Sequence, residues 1–386
     1  MHMNMGQPSG WQLMQDGIVF LELNHQGSPR GGTEFAAPNW WMGMASRNMS
    51  QGQVTFTGMV SLDPATLGRR GYREIFQAGE ALDGLPIVDR QHPHDFFMQM
   101  AVVWRIPVTG ATGVTLAAAP AGEPALGPVA FMHRASAIDN PTAPLSHHTF
   151  DSTHVSFGVV TAAIDHGPWM LEGSVFNGRE PDDRRWDLDF GRLDSVAGRL
   201  WFRPTPEWEL QVSTGHLKDP EALEAGNIQR STASVAWTHV KGSTASAWTV
   251  GYGRNDTEHG PRQAMFAEAA GRRGSESAYA RLEALDVETG LLETGTLLAT
   301  ATDRTSAVLA LTVGGVHDLP KRFGVSTGLG ADVTVYRAPD ALVPAYGAHP
   351  VSFHVFLRVG LPTGTIGHMV NMRMSQPMGG SATQRG

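Results

Sequence analysis

The sequence predicts an all-β fold, a transmembrane antiparallel up-and-down β-barrel. Three observations support this prediction: apolar and polar residues alternate along most of the chain, the connections between alternating segments differ in length, and aromatic residues stand beside the short connections. Alternation with a period of two places the two sets of side chains on opposite faces of a strand. In a membrane barrel one face meets lipid and the other lines a polar lumen.

The alternation is clear over residues 208–214, where tryptophan, leucine and valine alternate with glutamate, glutamine and serine. The segments 323–335 and 351–359 repeat it. Such segments number about 16, each near the length that a tilted barrel strand needs. Their approximate positions are 11–24, 35–47, 51–62, 95–106, 112–119, 153–164, 168–178, 192–203, 207–217, 229–239, 244–254, 263–270, 277–286, 305–316, 322–336 and 350–361.

The connections alternate between short and long. We expect short turns near 48–52, 107–113, 165–168, 204–206, 240–243, 271–275 and 317–322, and long loops near 25–34, 63–94, 120–152, 179–191, 218–228, 255–262, 287–304 and 337–349. Short periplasmic turns and long extracellular loops are typical of outer-membrane barrels, and an even strand number leaves both termini in the periplasm. The predicted organisation is an N-terminal Met/His-rich arm (1–10), a barrel (11–361) and a C-terminal Met/His-containing tail (362–386).

Aromatic residues provide a further test. Those beside the short turns are predicted to form an interfacial girdle: Trp104, Trp169, Phe202, Trp208, Trp237 and Phe323. Fewer candidates stand at the opposite ends of the strands: Phe150, Phe176, Tyr252 and Tyr336. The alternative is a soluble β-sandwich or propeller, but no fixed repeat period is visible and the long loops would be excessive.

Composition excludes several other classes. The chain has 386 residues, mean hydropathy −0.18 and no apolar run long enough for a membrane helix. It contains 45 glycines, which suits tight turns and curved strands, and no cysteine, which excludes disulfides and thiolate metal sites. A net charge of −8 argues against nucleic acid as a partner. Residues 1–5 show no secretory signal, and an outer-membrane protein needs export, so we expect this chain to be the mature form, from which a leader has been removed, or a truncated form.

Charged residues of both signs fall on the strand face that carries the polar residues. An arginine on the lipid side would cost about 2–4 kcal/mol at the membrane midplane, so these residues are predicted to point into the lumen and to face water there. They are Glu22, Arg105, Glu172, Arg199, Glu209, Arg281, Glu283, Asp332 and Arg358. The loops at residues 63–95 and 120–152 are long enough to fold inward and constrict that lumen.

Two long loops carry imidazole and carboxylate groups that could ligate a transition metal such as zinc or copper. The candidate ligands are His92, His94, His133, His147, His148, Asp151 and His154. The alternative is structural hydrogen bonding within the loops. A third interpretation is a hydrolase site at the rim, because Ser146 stands beside several of these residues, although no nucleophile elbow is present.

The chain ends carry a second candidate metal site. Thioether and imidazole ligands suit Cu(I), and the barrel topology would bring the two ends together. The candidate ligands are Met3, Met5, His368, Met369, Met372 and Met374. Alternatively, Met1 is an artificial start and Met372 and Met374 face lipid or a turn.

The chain as a whole resembles bacterial outer-membrane β-barrel proteins of the porin kind, and its Met/His-rich ends resemble those of outer-membrane copper-resistance proteins. One departure is that about 25 residues follow the last predicted strand, where such barrels end in an aromatic residue, so the tail could fold back into the lumen or the periplasm. The resemblance implies a non-enzymatic outer-membrane channel for small polar solutes or metal ions, linked to copper or heavy-metal handling. The alternatives are a metal-binding surface protein and an outer-membrane hydrolase. The expected partners are outer-membrane lipid, lipopolysaccharide and further copies of the chain, and the only expected cofactor is copper or zinc.

Overall fold

A computed structural model describes residues 10–295, 304–360 and 371–375. In these residues one large antiparallel sheet curls into a closed barrel of 16 strands, as predicted from the alternation. Two small two-stranded sheets lie in the loop after the third barrel strand, one pairing Tyr72–Arg73 with Arg90–Gln91 and the other pairing Glu80–Leu82 with Leu85–Ile87. The strands are β1 (Gln12–Gln26), β2 (Gly32–Ala36 and Asn39–Met49), β3 (Gly52–Val60), β4 (Phe97–Thr109), β5 (Thr112–Gly122), β6 (Ser156–His166), β7 (Trp169–Phe176), β8 (Ser195–Phe202), β9 (Trp208–Leu217), β10 (Ile228–Lys241), β11 (Thr244–Thr257), β12 (Gly260–Arg273), β13 (Glu276–Glu288), β14 (Thr305–Arg322), β15 (Val325–Arg337) and β16 (Val351–Gly360). The second strand is interrupted at Pro38, which has no backbone N–H to donate.

The barrel is closed by pairing of its first and last strands. Ile18 of β1 stands opposite Gly360 of β16, and the ladder continues without a shift to His25 opposite Phe353. The other side of β1 pairs with β2. Each strand therefore has two neighbours, and the sheet has no free edge.

The helices are short and lie in the loops. They are α1 (Asp63–Thr66), α2 (His147–Phe150), α3 (Thr289–Thr294) and α4 (Val343–Tyr346), with 3₁₀ turns at Phe131–His133 and Ser152–His154. None of the helices found in the described ranges is long and apolar enough to cross a membrane.

The connections follow the predicted alternation but differ in extent. The predicted loop at 25–34 shortens to residues 27–31, and the predicted loop at 255–262 is a turn of two residues, because Thr257 already pairs with Gly260. The turn predicted at 317–322 is misplaced: these residues belong to β14, and the turn lies at residues 323–324.

The prediction ended β11 at residue 254, where its apolar residues stop. The strand continues to Thr257, and the side chains of Arg254 and Asp256 pair with each other at 2.6 Å.

The outer face of the barrel is apolar and carries the girdle beside the short turns. Trp169 is 47% exposed and stacks on Phe202 with ring centroids 4.2 Å apart. Of the four aromatic residues predicted at the opposite end, Tyr252 is exposed, and the prediction was wrong for the other three, which are buried: Phe150, Phe176 and Tyr336. Phe176 and Tyr336 have the inward parity of their strands, and Phe150 belongs to a loop inside the barrel.

The outer wall predicts a depth-dependent cost for charge. Val250 is exposed near the middle of β11, so Val250→Arg should lower the free energy of unfolding in lipid vesicles by about 2–4 kcal/mol. Val108, on the same face of β4 but beside a short turn, provides the matched control: Val108→Arg should cost only about 0–1 kcal/mol. Equal costs at the two positions in denaturant titrations would contradict a membrane-facing wall.

Candidate functional site

The interior of the barrel is filled by its own chain. Two long loops, residues 61–96 and 123–155, fold inward, and most side chains between positions 125 and 151 are buried. Residues 371–375, beyond the last strand, also lie inside. We refer to these three segments as the plug.

Arg134 attaches the plug to the barrel wall. Its guanidinium donates to Glu268 of β12 (Nε to Oε2, 2.8 Å) and to Asp151 of the same loop (Nη1 to Oδ2, 3.0 Å), and it lies 4.6 Å above the ring of Phe266. Arg281 of β13 contacts the same Glu268 carboxylate at 3.0 Å. All four charged groups are buried, so each depends on its partners for the solvation that water would otherwise provide.

Other predicted lumen residues also hold the plug. The carboxylate of Glu283 accepts hydrogen bonds from the backbone N–H and the hydroxyl of Ser146, at 2.9 and 2.6 Å. Arg199 bridges Glu172 of the wall and Glu123 of the loop, with both distances 2.8 Å.

The remaining predicted lumen residues complete this pattern. Arg358 pairs with Asp139 of the plug, and Glu209 pairs with Arg373 at 3.3 Å. Within the wall, Asp332 pairs with His354 at 2.6 Å and Arg105 pairs with Asp165 at 2.8 Å. Glu22 is fully buried, and neither of its carboxylate oxygens has a hydrogen-bond partner among the described residues.

These positions correct one expectation. Seven of the nine residues predicted to line a water-filled lumen are buried: Glu22, Glu172, Arg199, Arg281, Glu283, Asp332 and Arg358. Arg105 and Glu209 are only partly exposed. The two long loops fold inward, as expected from their length, but they also cover most of these charges and leave them buried.

The described part of the tail is anchored in the lumen rather than on the lipid face. The backbone N–H of Asn371 donates to the carbonyl of His133 at 2.5 Å. Met372 packs in an apolar cluster with Trp40 and Met42, and Met374 packs in another cluster of buried residues. The other predicted Cu(I) ligands lie outside the described residues: Met3, Met5, His368 and Met369.

Five loop histidines form a continuous row inside the plug. In order they are His94, His154, His147, His148 and His92, and successive ring centroids are 5.2–5.9 Å apart. His92 also lies 6.0 Å from His147. His133 is separate from the row and meets the ring of Trp40 edge-on at 5.0 Å.

Three of these imidazoles are oriented through Nδ1. His94 is 2.8 Å from Asp63 Oδ2, His147 is 2.7 Å from Asp151 Oδ1, and His154 is 2.6 Å from the backbone oxygen of Asp151. An oxygen at Nδ1 leaves Nε2 as the nitrogen with a free lone pair, which is the arrangement that metal-binding histidines commonly show. Asp151 is thus committed to Arg134 and His147, and orients the row rather than offering a free ligand atom.

Burial keeps part of the row neutral. It lowers the pKa of His92 well below its usual range, and it lowers the pKa of His154 to about 3. The separate His133 has its pKa lowered by burial to about 4. Neutral imidazoles are the form that can bind a metal ion.

Two overlapping groups bring possible ligand atoms within 4.8 Å of one another. One contains Glu80, His92 and His148, and the other contains His148, Glu180 and Glu221. The three glutamates were missed in the sequence, because they belong to three different loops and share no local spacing.

The residues suggested for a hydrolase do not form a nucleophile–base pair. The Ser146 hydroxyl donates to Glu283, while Nδ1 of His147 faces Asp151. A hydroxyl must contact its base to be activated.

Comparisons with known proteins reveal a shared fold. No family model and no curated protein sequence matches the chain. Among solved structures, Pseudomonas putida OprB at high pH has a TM-score of 0.52 and 9% identity over 91% of this chain and 94% of that one. Salmonella typhi OmpF, in complex with daunomycin, has a TM-score of 0.51 and 8% identity over 92% of this chain and 99% of that one. At these identities the likeness concerns the fold. The chain therefore has a porin-like β-barrel fold, consistent with a location in the bacterial outer membrane.

Proposed function

We propose that the protein is a gated, porin-like channel for small polar solutes or metal ions, held closed by its plug. The observation that carries this proposal is a barrel of porin size whose inward charges are bound to loops instead of water. A barrel of 16 strands has an interior wide enough for an aqueous channel. Passage of a solute therefore requires the plug to shift.

The contacts of the plug favour movement over permanent closure. They are largely ion pairs and hydrogen bonds to side chains, such as those of Arg134 and Ser146, and no cysteine is present to fix the loops covalently. Polar contacts can be exchanged for water as the loop moves, at a smaller net cost than their strength in isolation suggests.

Locking the plug to the wall tests the gate. The hydroxyl oxygens of Ser136 in the plug and Thr249 in β11 are 2.8 Å apart, so the double variant Ser136→Cys/Thr249→Cys should form a disulfide. In planar bilayers we expect openings under reducing conditions and their loss after oxidation, because the plug can no longer leave the wall. Equal conductance in both states would contradict the gate, and silence of wild type at every voltage would contradict the channel.

A matched control links two wall strands. Thr312 of β14 and Thr334 of β15 stand opposite each other with their hydroxyl oxygens also 2.8 Å apart, and neither belongs to the plug. Thr312→Cys/Thr334→Cys should conduct equally before and after oxidation.

Removing the main anchor should loosen the plug. Arg134→Ala leaves the buried carboxylates of Glu268 and Asp151 without their shared partner, which should lower the free energy of unfolding by about 3 kcal/mol. Arg281 and His147 remain and limit the cost. Faster proteolysis of residues 123–155 and a higher open fraction are expected in the same variant.

An exposed ion pair provides the control for this anchor. Arg254→Ala removes a surface contact with Asp256 and should lower the free energy of unfolding far less than Arg134→Ala does, because solvent screens an exposed pair. A plug as resistant to protease in Arg134→Ala as in Arg254→Ala would show that Arg134 does not hold it.

A metal-binding role is a second candidate, favoured by the row of oriented imidazoles. A link to copper stays a prediction, as do the contacts with outer-membrane lipid and lipopolysaccharide. Association into a homo-oligomer is proposed because the outer wall has an apolar groove of about 850 Å³, lined by Trp41, Gly43, Phe56 and Gly58 among others, where a second copy could pack.

A further inference from the structure

Residues from four separate loops meet at the barrel mouth, at the end of the histidine row that contains His148 and His92. Glu80 and His92 come from loop 61–96 and His148 from loop 123–155. Glu180 comes from residues 177–194 and Glu221 from residues 218–227. These segments are far apart in sequence, so only the closed barrel brings them together.

The spacing of the ligand atoms suits a zinc ion. His92 Nε2 lies 3.1 Å from Glu80 Oε1, and His148 Nδ1 lies 3.5 Å from Glu180 Oε1. Ligand atoms bound tetrahedrally to Zn²⁺ at its usual bond lengths are about 3.3 Å apart. Two imidazoles with carboxylate oxygens form a donor set that zinc uses in proteins.

The ring nitrogens at this place are poorly satisfied. His92 Nε2 and both ring nitrogens of His148 are buried, and their contacts with the carboxylates of Glu80 and Glu180 do not have the geometry of a hydrogen bond. A buried polar atom without a well-directed hydrogen bond is costly, so such atoms call for an explanation. A cation bound between these nitrogens and the carboxylates would satisfy both.

The backbone is also shaped around His148. Gly79, just before Glu80, has φ +128°, and a Cβ atom there would come within 3.2 Å of the His148 ring. A glycine allows the chain to pass this close and present Glu80 beside the imidazole.

Arg185 does not occupy the whole carboxylate of Glu80. It pairs with Oε2 of Glu80 at 2.9 Å and with Asp95 at 3.1 Å. The other oxygen of Glu80, Oε1, faces His92 at 3.1 Å, and Glu180 and Glu221 stand beside His148. These oxygens remain as ligands for a cation.

We infer that Glu80, His92 and His148 bind one Zn²⁺ ion, with Glu180 and Glu221 supplying further negative charge beside His148. The ion joins the plug loops to each other and draws two further mouth loops toward them. Zinc binding itself does not depend on the proposed function. Its consequence, that zinc stabilises the closed channel, does rest on the proposed function.

Zinc titration of the purified full chain in detergent tests the site directly. By calorimetry we expect one Zn²⁺ per chain, with the affinity lowered at least about tenfold in His92→Ala and in His148→Ala, since even indirect partners of a metal are worth this much. Bound zinc should also slow proteolysis of residues 177–194 and 218–227 in wild type but not in these variants. Absence of zinc binding, or an unchanged affinity in both variants, would overturn the inference.

Two histidines provide matched controls. His154 belongs to the same row but to neither ligand group, and His317 is exposed beside Glu276 on the short-turn side. His154→Ala and His317→Ala should keep the wild-type affinity, and a tenfold loss in either would place the ion elsewhere and overturn the assignment.

A third variant with a smaller structural change guards against misfolding. Glu221→Gln preserves the size of the side chain and should weaken zinc binding by removing one negative charge beside His148. Wild-type affinity for zinc in Glu221→Gln as well as in His92→Ala and His148→Ala would overturn the zinc site. A silent barrel that binds zinc would overturn the channel alone, whereas a conducting barrel that binds no zinc would overturn this inference alone.

Discussion

The hydrogen-bonded ladder between β1 and β16 is the contact on which the rest of the structure depends. Within a bilayer every backbone N–H and C=O must find a partner in the protein, and a sheet achieves this only by closing. Closure also fixes the two faces of every strand. Valines and leucines then meet lipid, while residues such as Glu172 and Arg281 must point inward.

Closure also requires that the inward-facing charged side chains be paired. The loops fill the space around these side chains, so the charges lack water and need partners, which the plug supplies. Glu283 holds the backbone of the loop at Ser146, and Glu268 holds it through Arg134. The same contacts that satisfy the wall therefore keep the channel closed, which is why a change in the plug is expected to alter both stability and conductance.

The barrel itself could be predicted from the sequence, since period-two alternation and turn spacing are local signals. The number of strands and the inward parity of residues such as Glu22 followed from them. The length of the two long loops also led us to expect that they fold inward. The predictions failed in the detail of these loops: Phe150 was expected in the membrane interface but lies in the plug, and the lumen charges were expected to face water but are mostly buried. Packing of a loop inside a barrel leaves no periodic pattern in the sequence.

The candidate metal site could likewise be predicted only in part from the sequence. His92 and His148 could be selected because histidines cluster in two loops, but His94, His147 and His154 could not be separated from them without distances. Glu80, Glu180 and Glu221 each stand alone in the sequence and become neighbours only through the barrel. Ligands contributed by several loops are a property of the fold.

The central claim is that a closed barrel is filled by its own loops, and hydrogen–deuterium exchange of the protein in lipid vesicles measures this most directly. Backbone amides of residues 128–151 should exchange as slowly as those of the neighbouring strands β11–β13, because they are buried and held by wall side chains. Exchange of this segment as fast as that of the exposed residues around Glu258 would show an open, water-filled lumen and contradict the account.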